Sequence, residues 1–259
     1  MKPKERQAYI LEKVRQEKFA SVDDLSKIFS VTVQSIRKDV NDLCRKGLLR
    51  RVYGGVEIPS SNENISYNSR KIIHYDEKRS IAKHIAKYIK DNSSLFFSIG
   101  TTPEIIAKEL TLEKKNLKIF TNNLNVALVC CENPSFEVVL HGGIIRNKHR
   151  DILGENIESF FSQYRVDFGI FGVGAIKEDG SLLDFTHGEI HAREAIRKYC
   201  KKSFLVADNS KFKRDAHIRG GNITDIDLFI SNKKPPETIC NLLENTNTEY
   251  SYDEKEGLQ

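Results

Sequence analysis

Apolar residues recur at helical spacing three times within the first 46 positions. Ile10, Leu11 and Val14 form one stripe; Val22, Leu25, Ile28 and Phe29 form a second; Val33, Ile36, Val40 and Leu43 form a third. The second opens at Ser21 with an acid three residues on, Asp24, the signature of a reciprocal cap on a helix start. Thr32 is placed to cap the third helix, and Gly47 to stop it. Two short apolar runs, Leu48–Val52 and Val56–Ile58, flank Tyr53-Gly54-Gly55 and predict a hairpin.

Pro59 to Asn68 is rich in serine and asparagine and shows no periodicity, so a linker is expected over 60–75. After a helical stripe of Ile81, Ile85 and Ile89, short apolar runs alternate with helical ones. Strands are expected at Leu95–Ile99, Leu117–Phe120, Phe136–Leu140, Phe168–Val173, Phe204–Ala207 and Leu228–Ile230. Helices are expected at Pro103–Leu110, Leu124–Cys131 and Glu189–Cys200. Buried strands alternating with helices predict an α/β unit with a mostly parallel sheet covered on both faces. Past Pro235-Pro236 the pattern gives a short helix and a polar, acidic tail. The expected organisation is therefore a head (1–59), a linker (60–75), an α/β body (76–235) and a terminal helix with its tail (236–259).

Charge sharpens this division. The chain carries a formal +5, and residues 1–60 hold 13 Lys and Arg against 8 Asp and Glu, so the whole excess lies in the head. A basic module joined to a neutral one predicts a polyanion-binding head. No run approaches the roughly 20 apolar residues of a membrane helix, and the N-terminal residues show no apolar signal core. Five cysteines, two of them adjacent (Cys130-Cys131), fit a reducing cytoplasm better than a disulfide scaffold.

The third helix holds the most specific chemistry. Gln34, Lys38, Asn41 and Arg45 fall on a face distinct from the apolar stripe, with Ser35 and Arg37 at its leading edge. Short hydrogen-bonding side chains followed by long cations suit base edges and then phosphates. Two helices, a three-residue break and a basic hairpin form a winged helix-turn-helix. Gln34, Ser35 and Lys38 are expected nearest base edges, with Arg37, Arg45 and Arg51 on phosphates, and Thr32 at the helix start.

In the body, Gly100-Thr101-Thr102-Pro103-Glu104 joins a strand to a helix. Glycine permits close approach, the threonines offer hydroxyls, and Pro103 suits a first helical position. The free amides and dipole of a helix start favour an anion, most naturally phosphate. His187 and His191 lie four apart without a metal-site signature, and no metal or cofactor is expected.

The stretch Val31-Thr32-Val33-Gln34-Ser35-Ile36-Arg37-Lys38-Asp39-Val40, followed by Gly47-Leu48-Leu49-Arg50-Arg51-Val52-Tyr53-Gly54-Gly55-Val56, resembles the DeoR-type helix-turn-helix. Gly100-Thr101-Thr102, Thr121-Asn122-Asn123, Gly142-Gly143 with Arg146, Gly154, Asp167 and Asp208-Asn209-Ser210-Lys211-Phe212 fall in order along the DeoR-type sensor domain. Two positions depart from the family pattern: Ser98 stands where aspartate is usual, and Gly174-Ala175 where Ser-Gly or Asn-Gly is usual.

The resemblance implies a ribose-phosphate-isomerase-like body that binds a phosphorylated metabolite, glycerol 3-phosphate or a similar polyol. It implies a repressor of a carbohydrate or polyol catabolic operon, released from double-stranded operator DNA by that effector. Gly100, Thr101 and Thr102 with Gly143, Arg146 and Lys211 would hold the phosphate, and Asn122 and Asp208 the hydroxyls. A homo-oligomer, dimer or tetramer, is expected, with no membrane partner. The alternative is a sugar-phosphate isomerase-like enzyme with an appended DNA-binding head. Such an enzyme needs a base near the substrate's C–H, and the position that would most directly supply one is Ser98. No catalytic residues are therefore expected.

Overall fold

Each helical stripe of the head becomes a helix: α1 Pro3–Glu17, α2 Val22–Phe29 and α3 Val33–Arg45. Ile10, Val14, Leu25, Ile36, Val40 and Leu43 bury together as one core. Thr32 caps α3, its Oγ1 accepting from the Ser35 amide at 3.2 Å. Ser21 caps α2 through the Asp24 amide at 3.0 Å. The expected reciprocal bond differs: the Asp24 carboxylate takes the Ser21 hydroxyl, at 2.7 Å, rather than its amide, because aspartate is one methylene shorter than the glutamate of a full capping box. The hairpin is β2 Arg50–Val52 with β3 Gly55–Glu57, turning at Tyr53-Gly54. A strand the sequence reading missed, β1 Phe19–Ser21, pairs with β3 and completes a three-stranded sheet.

This computed structural model describes residues 2–17, 19–46, 48–58 and 67–253, so Gly47 and residues 60–66 of the expected linker lie outside the described residues. The chain divides into two units, residues 1–73 and 74–259. Tyr67–Ile72, inside the expected linker, is a helix, α4.

The second unit is an α/β body. In chain order it runs α5 Tyr75–Ala86, β4 Ser94–Phe97, α6 Thr101–Glu113, β5 Lys118–Thr121, α7 Leu124–Cys130 and β6 Glu137–Leu140. It continues β7 Ile145–Arg146, β8 Asp151–Ile152, α8 Ile157–Ser162, β9 Val166–Phe171, β10 Ala175–Ile176 and β11 Ser181–Asp184. Then come α9 His187–Tyr199, β12 Cys200–Val206, β13 Ile218–Asn222, β14 Leu228–Ser231, α10 Glu237–Glu244 and β15 Glu249–Tyr252.

Seven strands form one parallel sheet in the order β15-β14-β12-β9-β4-β5-β6. Alternation along each strand feeds two cores. Leu95, Phe97, Ile170 and Phe204 face α5, α6 and α7, whereas Phe96, Phe171 and Leu205 face α8, α9 and α10. Cys130 is buried and Cys131 exposed. Small antiparallel additions, β10-β11-β13 and β7-β8, sit beside the main sheet. The polar-tail reading needs correction: Glu249–Tyr252 extends the sheet as an edge strand parallel to β14. Its alternate tyrosines stack with ring centroids 6.5 Å apart.

The sheet grows outward in both directions from β4, since β5 and β6 follow on one side and β9 and β12 on the other. That reversal is a topological switch point at the C-terminal ends of β4 and β9, the place where open α/β sheets bind ligands.

Candidate DNA-reading face and anion site

On α3, Gln34, Arg37, Lys38, Asn41 and Arg45 are exposed, as is Thr32 at its cap. With Asp42, Cys44 and Arg51 of the hairpin, these five helix residues line one concavity. Arg51 donates to Asn41 Oδ1, which ties the hairpin to the reading helix. Arg50 pairs with Glu57 across the hairpin, Nε to Oε1 at 2.9 Å. Behind the face, Arg6 reaches from α1 to the buried Asp39 at 2.5 Å and fixes α1 against α3. Like Arg51 and Asn41, two further expected contact residues, Ser35 and Arg45, are already engaged. Ser35 is half-buried, its hydroxyl 3.0 Å from that of Thr32. Arg45 pairs with Asp42, and that hydrogen bond holds the Asp42 carboxyl below its usual range.

In the body, the sheet brings all eight expected effector residues to its C-terminal edge, in three groups. The first is the turn from β4 into α6. Gly100 has φ +115°, a conformation that favours glycine, and it caps α6 without a side chain. The helix starts at Thr101, so Pro103 is its third residue rather than its first. Proline is tolerated there too, because no amide of the first turn has a partner within the helix. Thr101 and Thr102 are buried. Asn123 Nδ2 donates to the Gly100 carbonyl at 3.2 Å and so binds the turn to the end of β5.

The second group surrounds the β7–β8 hairpin. Asn122 is fully buried and donates to the Ile152 carbonyl at 2.9 Å. Gly143 has φ +150° and lies against Ile152, where a Cβ would come within 2.9 Å of Cγ2. Arg146 makes a two-pronged bond to Asp151, 2.6 and 2.8 Å, and a third to Glu189 at 3.3 Å. Burial works against its charge, but these carboxylates outweigh burial and raise its pKa. Glu189 also accepts from the Phe185 and Thr186 amides and closes a capping box on α9.

The third group follows β12. Asp208 is almost wholly buried, which alone would raise its pKa, yet Lys211, Lys78 and the Ser210 hydroxyl hold it below its usual value. Lys78 was missed as a site residue, although it precedes Ile81 by three residues on the buried stripe of α5. Arg214, also missed, lies over the Phe185 ring at 5.8 Å, and burial lowers its pKa against the opposing pull of Asp208. Lys211, Lys78 and Arg214 thus all act on Asp208.

The departures at Ser98 and Gly174 have plain structural settings. Ser98 is buried, its amide donating to Ile170 at 2.9 Å. Gly174 donates its amide to Asp184 at 2.8 Å, and a Cβ there would lie 2.7 Å from the Leu183 carbonyl. Asp184 also pairs with the buried Arg193, but burial dominates and pushes its pKa up to about 6. Among the described residues no helix is long and apolar enough to cross a membrane, and no metal-binding cluster of His, Cys, Asp or Glu is present.

Two family models cover most of the chain: the DeoR-like helix-turn-helix domain over residues 6–62 and the DeoR C terminal sensor domain over 73–233. The glycerol-3-phosphate regulon repressor of Escherichia coli K12 is 40% identical over 243 residues, 94% of this chain and 96% of that protein. Its namesake from Haemophilus influenzae is 41% identical over 248 residues, 96% of each. Among solved structures, ribose 5-phosphate isomerase A from Methanocaldococcus jannaschii aligns with a TM-score of 0.40 and 15% identity over 54% of this chain and 55% of that one.

Proposed function

Since this chain belongs to the DeoR family of transcriptional regulators, we propose that it represses genes for using glycerol 3-phosphate and leaves the DNA when that metabolite, or a close phosphorylated polyol, binds the body. It is a regulator rather than an enzyme, as are the repressors that match nearly its full length. The observation that carries the reading is the exposed polar face of α3, with Arg51 of the hairpin beside it. Gln34 and Lys38 approach base edges in a major groove, Ser35 supports the helix start, and Arg37, Arg45 and Arg51 take phosphates. The protein works in the cytoplasm as a homo-oligomer, because one head reads too few base pairs and a symmetric pair reads two half-sites.

The effector's phosphate docks on the amides and hydroxyls of Gly100, Thr101 and Thr102, with Lys211 as one cation of the site. Arg146 joins it by exchanging a carboxylate partner for the phosphate. Asn122 and Asp208 receive hydroxyls. Binding favours the arrangement of the two units that does not fit DNA, and a tenfold loss of DNA affinity needs about 1.4 kcal/mol of coupling.

The test is fluorescence anisotropy on DNA from upstream of glycerol-utilisation genes, titrated with glycerol 3-phosphate. The wild type should release DNA. A Thr101→Ala, Thr102→Ala double variant should bind DNA normally and stay bound at the same ligand concentration. Release of the double variant at wild-type concentrations would refute the phosphate-turn reading.

A further inference from the structure

Two buried polar atoms near the ends of β5 and β6 have no hydrogen-bond partner among the described residues: Asn122 Oδ1 and His141 Nδ1. Native interiors rarely tolerate this, because an unmade bond to a buried polar atom costs more than a made one returns. The register makes the two residues neighbours. Thr121 pairs with Leu140 in the parallel ladder, and the His141 amide donates to the Thr121 carbonyl at 2.8 Å. Asn122 and His141 are therefore the next pair along, about 5 Å apart across the strands. They follow Phe120 and Val139 by two residues, so they share the face of the sheet that those side chains pack on. The His141 ring confirms that face, standing edge-on to Phe160 of α8 with centroids 5.0 Å apart.

Chemistry fixes what each atom wants. Asn122 Nδ2 is committed to the Ile152 carbonyl, and reversing the amide would set two oxygens against each other. Oδ1 is thus an acceptor with nothing to accept from. His141 Nδ1 in a neutral ring is a donor or an acceptor, according to tautomer. Among small polar groups, a hydroxyl both donates to an acceptor and accepts from a donor. Neighbouring strands lie about 5 Å apart, close enough for one oxygen to bond polar side chains of both. The Gly142-Gly143 turn beside the ring is exposed, and a Cβ built on Gly143 would lie 3.9 Å from Nδ1, so no side chain at that turn covers this edge of the ring.

We infer that Asn122 and His141 form a hydroxyl-recognition pair, in which the bound polyol donates one hydroxyl to Asn122 Oδ1 and accepts at it from His141 Nδ1–H. The inference rests on the phosphorylated-polyol reading above and adds to it the residue that separates a polyol phosphate from a simple alkyl phosphate. His141 has no place in the phosphate contacts, so its loss removes discrimination and leaves anion binding in place.

Isothermal titration of the full chain with glycerol 3-phosphate, 3-hydroxypropyl phosphate (which lacks the central hydroxyl) and inorganic phosphate tests this. Wild type should prefer glycerol 3-phosphate over the deoxy analogue by about tenfold, near what one well-made hydrogen bond supplies. His141→Phe, which keeps the packing on Phe160, should bind both esters within about twofold of each other and bind inorganic phosphate as wild type does. His141→Gln, which retains a polar atom, should recover part of the preference. Wild-type discrimination in His141→Phe would overturn the inference, as would wild type binding both esters equally, the result expected if a structural water fills the gap. Failure of wild type to bind any of the three would instead bring down the effector reading itself, and this inference with it.

Discussion

Asp208 and Arg45 show how differently single side chains reach function. The Asp208 carboxyl is held below its ordinary value of 3.8, because Lys211, Lys78 and Ser210 outweigh the burial that would raise it. A depressed native pKa contributes stability that is present above the ordinary value and lost as pH falls through the lowered one. Acid denaturation of wild type should therefore gain a component below about pH 4 that Asp208→Asn lacks. Circular dichroism at stepped pH reads the difference, and identical acid limbs in both proteins would contradict the assignment. On the head, the prediction separates two kinds of contact. Arg45→Ala should weaken binding to every DNA alike and lower the slope of log K against log salt by about one. Gln34→Ala should instead leave the salt slope intact and relax discrimination between operator and altered sites. A Gln34→Ala variant that kept full discrimination would move the reading face elsewhere on α3.

Elements were legible in proportion to how locally their signal is written. The helices of the head and six of the seven strands of the parallel sheet follow from stripes and runs within a dozen residues. β1 does not, because three residues carry no periodicity and its only partner, β3, lies some 35 positions on. β7, β8, β10, β11 and β13, two to five residues each, are likewise too short to carry a clear pattern. β15 could have been read from the alternate Tyr250 and Tyr252, but the acidic residues around them masked it. The candidate site was legible as types of residue, not as partners. Nothing near Arg146 in sequence announces Glu189, 43 residues away, and nothing near Asn122 announces Ile152. The unread β1 also governs an element-scale prediction. A Cβ on Gly55 would come within 2.7 Å of the Phe19 ring, so Gly55→Ala should prise β1 from β3. A loss of about 1–3 kcal/mol is expected for such overpacking, measured as a lower denaturation midpoint of the head. An unchanged midpoint would mean that β1 contributes little to the head.

At the scale of the whole molecule, charge is segregated: the head carries the entire excess of +5 and the body balances to zero. Attraction to DNA is thus confined to one unit, and the other is free to answer a small anion without gripping nucleic acid. Such a molecule needs pairing to gain specificity. Sedimentation at micromolar concentration should show a dimer or tetramer both free and on DNA. A monomer in both conditions would leave operator recognition to a single head and contradict the symmetric reading.

The strand order also sets a clock. β4 lies inside the seven-stranded sheet yet is the first of its strands to be synthesised, while β15, an outer strand, is the last. At the usual pace of translation, roughly 5–20 residues per second, residues 74–259 take on the order of 10–40 s to appear. The head, whose contacts are mostly short in sequence, needs far less time to fold. For that interval each nascent chain carries a finished DNA reader on an unfinished sensor. A newborn head can therefore meet DNA phosphates before the body beside it has folded far enough to bind any small molecule.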